Sequence, residues 1–167
     1  MTFDAEVLDL AAHVIAANRA AGRTIVTAES CTGGLVAAAL TEISGSSDVV
    51  DRAFVTYSNE AKMEALGVHS DLIDTFGAVS IAVAWAMAQG ALKASHADTA
   101  VAITGIAGPG GGSAQKPVGT VVFAVAHRGD PDSKHADTKA FGDLGRSEIR
   151  RQAVLCALEL LMPREGS

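Results

Sequence analysis

Apolar residues recur at helical spacing in some segments of this chain and form short β-branched runs in others. Residues 3–21 carry apolar side chains three and four positions apart, and Gly22 follows them as a helix stop. Residues 24–27 form a β-branched run that is typical of a buried strand. Residues 32–43 continue as a second apolar helix. The pattern therefore predicts a chain that begins as helix, strand and helix.

The rest of the chain repeats this alternation. Strands are predicted over residues 52–58, 98–104, 117–126 and 134–141, and helices over residues 60–66, 70–76, 81–94 and 146–161. Asn59 and Ser80 are predicted to cap the helices that follow them. A turn at residues 127–133 joins the last two strands as a hairpin, and the final strand is a polar edge strand.

This order of elements predicts an α/β fold, a three-layer α/β/α sandwich with a mixed, mostly parallel sheet. The length of 167 residues suits a single domain over residues 1–167 with a sizeable core. Because 49% of the residues are apolar and only 4% are aromatic, alanine, valine, isoleucine and leucine must build that core.

Charge and cysteine content narrow the range of partners. The formal net charge of −6 at pH 7 argues against nucleic acid or an anionic membrane as the main partner. Cys31 and Cys156 are too few for a disulfide scaffold and fit a reducing compartment. The first residues lack the pattern of a signal peptide, and no run is apolar enough to span a membrane. We therefore expect a cytoplasmic protein.

Three polar segments each follow a predicted strand, at residues 29–32, 57–62 and 104–113. If these strands are parallel, the segments gather at one edge of the sheet. That edge is where open α/β sheets bind ligands. The candidate chemistry of this chain is therefore sought in these three segments.

Ser30 lies in the first segment, within Glu-Ser-Cys-Thr-Gly-Gly, and three interpretations of it compete. It could be the N-cap of the next helix, a contact for a phosphate or carboxylate, or a nucleophile. Two glycines at positions 33 and 34 would let a ligand approach the backbone closely. N–H groups at the helix start could hold an anion or an oxyanion. The local sequence is neither a G-x-S-x-G elbow nor a phosphate-binding P-loop. It therefore does not distinguish between the three interpretations of Ser30.

The third segment contains a glycine-rich loop at residues 105–112. Exposed N–H groups in such a loop can form a nest for phosphate, whereas the alternative is a mobile surface loop. The spacing of the glycines is not G-x-G-x-x-G and no helix follows, which excludes a dinucleotide-binding fingerprint.

Lys62 ends the second segment, which reads Tyr-x-Asn-x-x-Lys. A lysine whose pKa is lowered by burial can act as the general base of a serine without any histidine, whereas the alternative is a solvated helix lysine. None of the five histidines lies in the three segments, so a Ser-His-Asp triad has no support. No cluster shows zinc-ligand spacing, and we expect neither a metal nor a cofactor.

Four motifs occur in order along the chain, and together they closely resemble the CinA C-terminal domain family. They are Ala-Glu-Ser-Cys-Thr-Gly-Gly at residues 28–34, Tyr-Ser-Asn-Glu-Ala-Lys at 57–62, Thr-Gly-Ile-Ala-Gly-Pro-Gly-Gly at 104–111 and Lys-Pro-Val-Gly-Thr at 116–120. Residues 146–150 also resemble the closing-helix segment of this family. Characterised members are nicotinamide mononucleotide deamidases, which are nicotinamide-nucleotide amidohydrolases.

The resemblance implies hydrolysis of the carboxamide of nicotinamide mononucleotide to nicotinic acid mononucleotide and ammonia. It implies Ser30 as the nucleophile, Lys62 as its base and Tyr57 close by, and we expect all three to be catalytic. Either Lys62 or Tyr57 would carry the proton to the leaving ammonia. The expected partner is thus a small nucleotide, and members of the family form homo-oligomers. The residues expected to contact the substrate are Glu29, Cys31, Thr32, Gly33, Gly34, Asn59, Thr104, Gly105, Gly108, Gly110 and Gly111. Among them, we assign N–H groups around residues 31–34 to the oxyanion and the glycine-rich loop to the phosphate.

Two other functions remain open at this point. In the first, the domain regulates by binding a nucleotide and performs no turnover. In the second, Cys31 is the nucleophile, because a thiol at a helix start can have a lowered pKa.

Overall fold

The computed structural model describes residues 3–164, except the side chains of Pro131, Ser133 and Lys134. Its five strands are β1 (Ile25–Glu29), β2 (Val50–Val55), β3 (Thr99–Gly105), β4 (Thr120–His127) and β5 (Asp130–Ala140). They form one sheet in the order β2-β1-β3-β4-β5. The pairs β1–β2 and β1–β3 are parallel, and β3–β4 and β4–β5 are antiparallel. Four strands therefore run in one direction and only β4 runs in the other, which confirms the mixed, mostly parallel sheet.

Helices cover both faces of the sheet and confirm the three-layer sandwich. They are α1 (Ala5–Ala20), α2 (Leu35–Thr41), α3 (Asn59–Leu66), α4 (Ser70–Phe76), α5 (Ile81–Lys93) and α6 (Arg146–Leu160), with a 3₁₀ turn at Ser46–Asp48. Helices α1, α2 and α6 share one core with alternate strand residues, and α3 and α5 share the other, with α4 packed at its side. No helix within residues 3–164 combines the length and apolar character that a membrane crossing requires.

The two cores differ in side-chain size. Val101 and Ile103 of β3 face α1 and α6, whereas the alternate residues Ala100 and Ala102 face α5. Small residues on this second side bring helices close to the sheet and to one another. At Gly90 of α5, a Cβ atom would lie 1.9 Å from the carbonyl oxygen of Leu66, so glycine is required for α3 to pack against α5.

Several element boundaries differ from those predicted. The first strand extends to Glu29, and the second helix begins only at Leu35, because Thr32-Gly33-Gly34 forms a turn. The cap of α3 is Ser58 and not Asn59, since the Ser58 hydroxyl accepts from the Ala61 N–H at 3.0 Å. Ser80 caps α5 as predicted.

The hairpin between β4 and β5 is tighter than the predicted turn at residues 127–133. His127 pairs with Asp130, so only Arg128 and Gly129 form the turn. Gly129 takes φ +79°, a left-handed conformation that glycine adopts without strain. β5 is an edge strand, as the sequence indicates.

Candidate active site

A cavity of about 260 Å³ lies at the carboxyl edge of the parallel strands β2, β1 and β3. The three polar segments meet there, because the parallel strands that precede them end at one edge of the sheet. The residues lining it are Ser30, Cys31, Tyr57, Asn59, Lys62, Ala78, Val79, Thr104, Gly105, Ile106, Ala107, Gly108, Gly110, Gly111 and Arg146. A larger, more open cavity of about 730 Å³ lies beside the glycine-rich loop, but neither Ser30 nor Lys62 lines it.

Lys62 and Ser30 are in hydrogen-bond contact within this cavity. The Lys62 Nζ lies 3.1 Å from the Ser30 Oγ, 3.0 Å from the Thr56 carbonyl oxygen and 3.5 Å from that of Tyr57. A neutral amine has two hydrogens and one lone pair. If the two hydrogens go to the two carbonyls, the lone pair is left for the Ser30 hydroxyl. An ammonium would instead donate to all three oxygens, so the geometry allows both a protonated Lys62 that donates to Ser30 and a neutral Lys62 that accepts its proton.

Burial lowers the pKa of Lys62 below its ordinary value of 10.5. The side chain is 1% exposed, and no carboxylate within the described residues forms an ion pair with it. The opposing influence is the nearby Cys31, which raises the pKa of Lys62 by a smaller amount. The solvated-lysine alternative is thus wrong, and the neutral form of Lys62 is favoured relative to an exposed lysine.

Glu29 does not reach the cavity, which corrects the expectation that it contacts the substrate. Its side chain is fully buried, and its carboxylate accepts hydrogen bonds from the Thr27 and Thr32 hydroxyls and the Val36 and Ala37 N–H groups. These bonds place a negative charge at the start of α2, where the helix dipole favours it. Glu29 therefore fixes the start of α2 relative to the end of β1.

The N-cap interpretation of Ser30 is wrong. Gly34, at φ +97°, is the residue that precedes α2, and Ser30 lies four positions earlier in the turn. The expectation that N–H groups at the start of α2 are available to an anion is also wrong for Val36 and Ala37. Both of these N–H groups donate to the Glu29 carboxylate. Thr32, Gly33 and Gly34 are not among the residues that line the cavity. The structure therefore gives this part of the turn no direct contact with a ligand in that cavity.

Tyr57 contacts Lys62 through its carbonyl and not through its hydroxyl. Tyr57 is 60% exposed, and its hydroxyl accepts a hydrogen bond from the Arg146 Nη2 at 2.8 Å. The Arg146 Nη1 donates to the Gly108 carbonyl at 2.7 Å. Arg146 thus joins two of the predicted segments, although its role was not deduced from the sequence. The signal that could have found it is its position at the start of the closing helix segment.

The glycine-rich loop packs closely against the segment that leads into β4. Gly108 takes φ +77°, and a Cβ atom there would lie 2.6 Å from the Val118 Cγ1. The Ile106 N–H donates to the Thr120 carbonyl, which ties the loop to the start of β4. By contrast, within the described residues the N–H groups of Ala107, Gly108, Gly110 and Gly111 have no hydrogen-bond acceptor. These four donors are free to bind an anion.

Three other expected contact residues line the cavity in different ways. Thr104 is fully buried, and its hydroxyl donates to the Ala78 carbonyl at 2.9 Å, which braces the segment before α5. Gly105 ends β3, where a Cβ atom would lie 2.8 Å from the Val121 Cγ2. Asn59 lies in the first turn of α3. Within the described residues the Asn59 side chain makes no hydrogen bond, which leaves its amide available to a ligand in the cavity.

Cys31 lines the cavity but is poorly suited to nucleophilic attack. It is 5% exposed, and burial raises the pKa of its thiol to about 11. The reactive thiolate is thus a very small fraction at neutral pH. Within the described residues, no group of three or more His, Cys, Asp or Glu side chains could hold a metal ion.

Together the fold and the site define an α/β/α protein with a buried lysine–serine pair at the carboxyl edge of its sheet. The model of the CinA C-terminal domain matches residues 7–164 of the sequence. The chain belongs to the CinA C-terminal domain family, as the four motifs indicate.

Relatives and solved structures agree with this assignment. Nicotinamide-nucleotide amidohydrolase PncC of Escherichia coli K12 is 51% identical over 159 residues, which cover 95% of this chain and 94% of that protein. A CinA-like protein of Mycolicibacterium paratuberculosis is 54% identical over 154 residues, which are 92% of this chain but 34% of that longer protein. The solved structure of the competence/damage inducible protein CihA of Agrobacterium tumefaciens is 53% identical, with a TM-score of 0.91 over 95% of both chains.

Proposed function

We propose that this protein hydrolyses the carboxamide of nicotinamide mononucleotide to nicotinic acid mononucleotide and ammonia. The observation that carries the proposal is the contact between the buried Lys62 Nζ and the Ser30 Oγ, both of residues that line the cavity. The name of the PncC relative, a nicotinamide-nucleotide amidohydrolase, supplies the substrate class. Nucleophile, base and anion donors in one cavity are the groups that amide hydrolysis requires.

In the first half-reaction, neutral Lys62 removes the proton of the Ser30 hydroxyl while its oxygen attacks the carboxamide carbon. The C–O bond forms, and the carbonyl electron pair moves to oxygen to give a tetrahedral oxyanion. The Lys62 ammonium then gives its proton to the amide nitrogen. As the oxyanion collapses, the C–N bond breaks, ammonia leaves, and Ser30 holds the nicotinate group as an ester.

In the second half-reaction, water replaces Ser30 as the nucleophile. Lys62, neutral again, takes a proton from water as its oxygen attacks the ester carbon. When the second tetrahedral intermediate collapses, the bond to the Ser30 Oγ breaks and Lys62 returns the proton to that oxygen. The product carboxylic acid ionises on release. No metal or cofactor is needed to balance either step.

Oxyanion donors come from the turn that carries Ser30. The Gly33 N–H already donates to the Ser30 carbonyl, so it is not available. The N–H of Cys31 donates to no carbonyl or carboxylate within the described residues, and Cys31 lines the cavity. We assign the oxyanion to this N–H group. Tyr57, whose hydroxyl is held by Arg146, is assigned to substrate binding rather than to proton transfer.

The phosphate of the nucleotide is assigned to the glycine-rich loop and Arg146. The loop offers N–H donors at residues 107, 108, 110 and 111, and Arg146 adds a positive charge next to Gly108. A nucleotide bound in this way has its phosphate at the loop and its carboxamide near Ser30, because both groups line the same cavity.

The proposal is tested by incubating the purified protein with nicotinamide mononucleotide and measuring both products, ammonia and nicotinic acid mononucleotide. We expect them in equal amounts. Binding of the mononucleotide without release of ammonia would contradict the amidohydrolase assignment and support a regulatory nucleotide-binding domain.

Three further predictions concern the protein's partners and location. We predict a homo-oligomer, no nucleic-acid partner and a cytoplasmic location. Light scattering tests the oligomeric state.

The phosphate assignment predicts strong discrimination between nicotinamide mononucleotide and nicotinamide riboside. Each charge-assisted hydrogen bond lost with the phosphate costs about 1.5 to 3 kcal/mol, so kcat/KM should fall at least tens-fold for the riboside. Arg146→Met should lower kcat/KM for the mononucleotide and change the riboside value much less. Steady-state assays on both substrates measure this, and equal efficiency on the two would contradict the assignment.

Chelation is predicted to leave activity unchanged, because every proton transfer is assigned to Lys62. The measurement is the rate of ammonia release before and after dialysis against EDTA. A loss of activity that a divalent cation restores would overturn the serine–lysine mechanism.

A further inference from the structure

The side chain of Arg150, on α6, contacts the turn that carries Ser30. It lies one helical turn after Arg146 on α6. Its Nε donates to the Cys31 carbonyl at 3.1 Å, and its Nη2 donates to the Thr32 carbonyl at 3.3 Å. These are the two residues that directly follow Ser30. A single guanidinium therefore holds two consecutive peptide groups next to the candidate nucleophile.

Gly33 lies directly against this guanidinium, and a side chain at this position would crowd it. A Cβ atom at this position would lie 3.3 Å from the Arg150 Nη2, and Gly33 takes φ +57°. No backbone N–H within the described residues donates to the Cys31 carbonyl, so Arg150 is its hydrogen-bond donor there. On the other side of the turn, Glu29 binds the Thr32 hydroxyl and the start of α2. The turn is thus held between a buried carboxylate and an arginine.

We infer that Arg150 is a positioning residue, which holds the turn so that the Ser30 Oγ stays within reach of the Lys62 Nζ. This inference rests on the proposed function. Arg150 does not line the cavity, so it acts through the backbone of Cys31 and Thr32 and not by touching the substrate. A shift of the turn by about 1 Å is enough to lower the rate of a positioned reaction roughly a hundredfold.

Arg151 provides a matched control on the same helix. It is the next residue, but its guanidinium pairs with Asp4, Glu6 and Glu148 at the protein surface, away from the Ser30 turn. Replacing it removes one arginine from α6 and leaves the contacts of the turn intact. The Arg151 variant therefore shows how much the loss of a tertiary contact of α6 affects stability when the turn is untouched.

The kinetic test compares Arg150→Met with Arg151→Met on nicotinamide mononucleotide. For Arg150→Met we expect kcat to fall roughly tenfold to a hundredfold, KM to change less than about threefold, and the midpoint of the pH profile to stay in place. Arg150→Lys, which can donate to one carbonyl at a time, should recover part of kcat. Arg151→Met should keep kcat within about twofold while its thermal midpoint falls.

A second measurement does not depend on catalysis. In a Cys156→Ser background, Cys31 is the only thiol, and its rate of alkylation by iodoacetamide reports how firmly the turn is held. We expect Arg150→Met to raise this rate several-fold over both the parent and Arg151→Met, with circular dichroism unchanged.

The outcomes separate the two proposals. Unchanged kcat and unchanged Cys31 alkylation in Arg150→Met would overturn the positioning role, as would a loss of activity that only follows a loss of folded protein. A shifted pH midpoint would also overturn it, because Arg150 would then act on Lys62 by charge. If the parent protein releases no ammonia, the proposed function is wrong. The alkylation experiment still tests Arg150 in that case, because an unchanged rate in Arg150→Met would show that Arg150 does not hold the turn in place.

Discussion

Ser30→Ala is expected to remove nearly all turnover of nicotinamide mononucleotide, by about a thousandfold or more. The nucleophile of a covalent mechanism has no substitute in the site, because the neighbouring Cys31 is a buried thiol with its pKa raised to about 11. The Ser30 side chain is small, so alanine keeps the shape of the cavity. Binding of the mononucleotide should therefore persist, and isothermal calorimetry measures it alongside the ammonia assay.

Cys31→Ala is the matched control, because it changes the next residue in the same turn. It should retain most of the wild-type kcat, since only the N–H of Cys31 is assigned a role. If Ser30→Ala kept more than a tenth of wild-type turnover, the activation barriers of the two proteins would differ by about 1.4 kcal/mol or less. That difference is too small for the loss of a nucleophile. Inactivation by Cys31→Ala together with such residual activity would shift the assignment to the thiol.

Lys62→Met is expected to abolish turnover to a similar degree. Methionine matches the length of the lysine stem but supplies neither a base for the Ser30 hydroxyl nor a donor for the Thr56 carbonyl. Since nucleophile and base act as one unit, the double variant with Ser30→Ala should be scarcely slower than either single variant. Multiplied losses in the double variant would show that the two side chains act independently. Circular dichroism of each variant checks that the fold is retained.

The pH dependence follows from the direction of the Lys62 pKa shift. Only the neutral amine can accept the Ser30 proton, so kcat/KM should be low at acid pH and rise with a slope of one as pH increases. Because burial lowers the pKa of Lys62, the rise should level off below the ordinary lysine value of 10.5. A rate that does not fall when the solution is acidified, or that rises with pH only at and above 10.5, would contradict a buried Lys62 as the base.

The fold was largely predictable because its signals are local and redundant. Runs such as residues 24–27 and the apolar centre of β3 indicate buried strands, and the alternation with helices indicates a layered α/β fold. Element boundaries were less predictable. Ser58 and Asn59 are both good capping residues, and only the hydrogen bond from the Ala61 N–H distinguishes them.

The site was predictable as a set of segments and not as a set of contacts. Ser30 and Lys62 were expected to lie close together because they follow neighbouring parallel strands. The structure shows them in hydrogen-bond contact. The role of Glu29 was not predictable, because a carboxylate next to a serine at a strand end reads equally well as a ligand contact or as a cap. Arg146 and Arg150 belong to α6, far along the chain. No local pattern links Arg146 to the glycine-rich loop or Arg150 to the turn that carries Ser30.

The sequence by itself determined the elements, the family and the three segments that carry chemistry, since these depend on residue type and spacing. Only the tertiary structure decided which polar groups are already occupied. The Glu29 carboxylate accepts hydrogen bonds from N–H groups at the start of α2, and the Tyr57 hydroxyl accepts one from Arg146. Lys62 is buried and forms no ion pair with a carboxylate of the described residues. Burial and hydrogen-bond occupancy come from elements that meet in space, so the pKa of a lysine and the availability of a donor cannot be derived from neighbours in sequence.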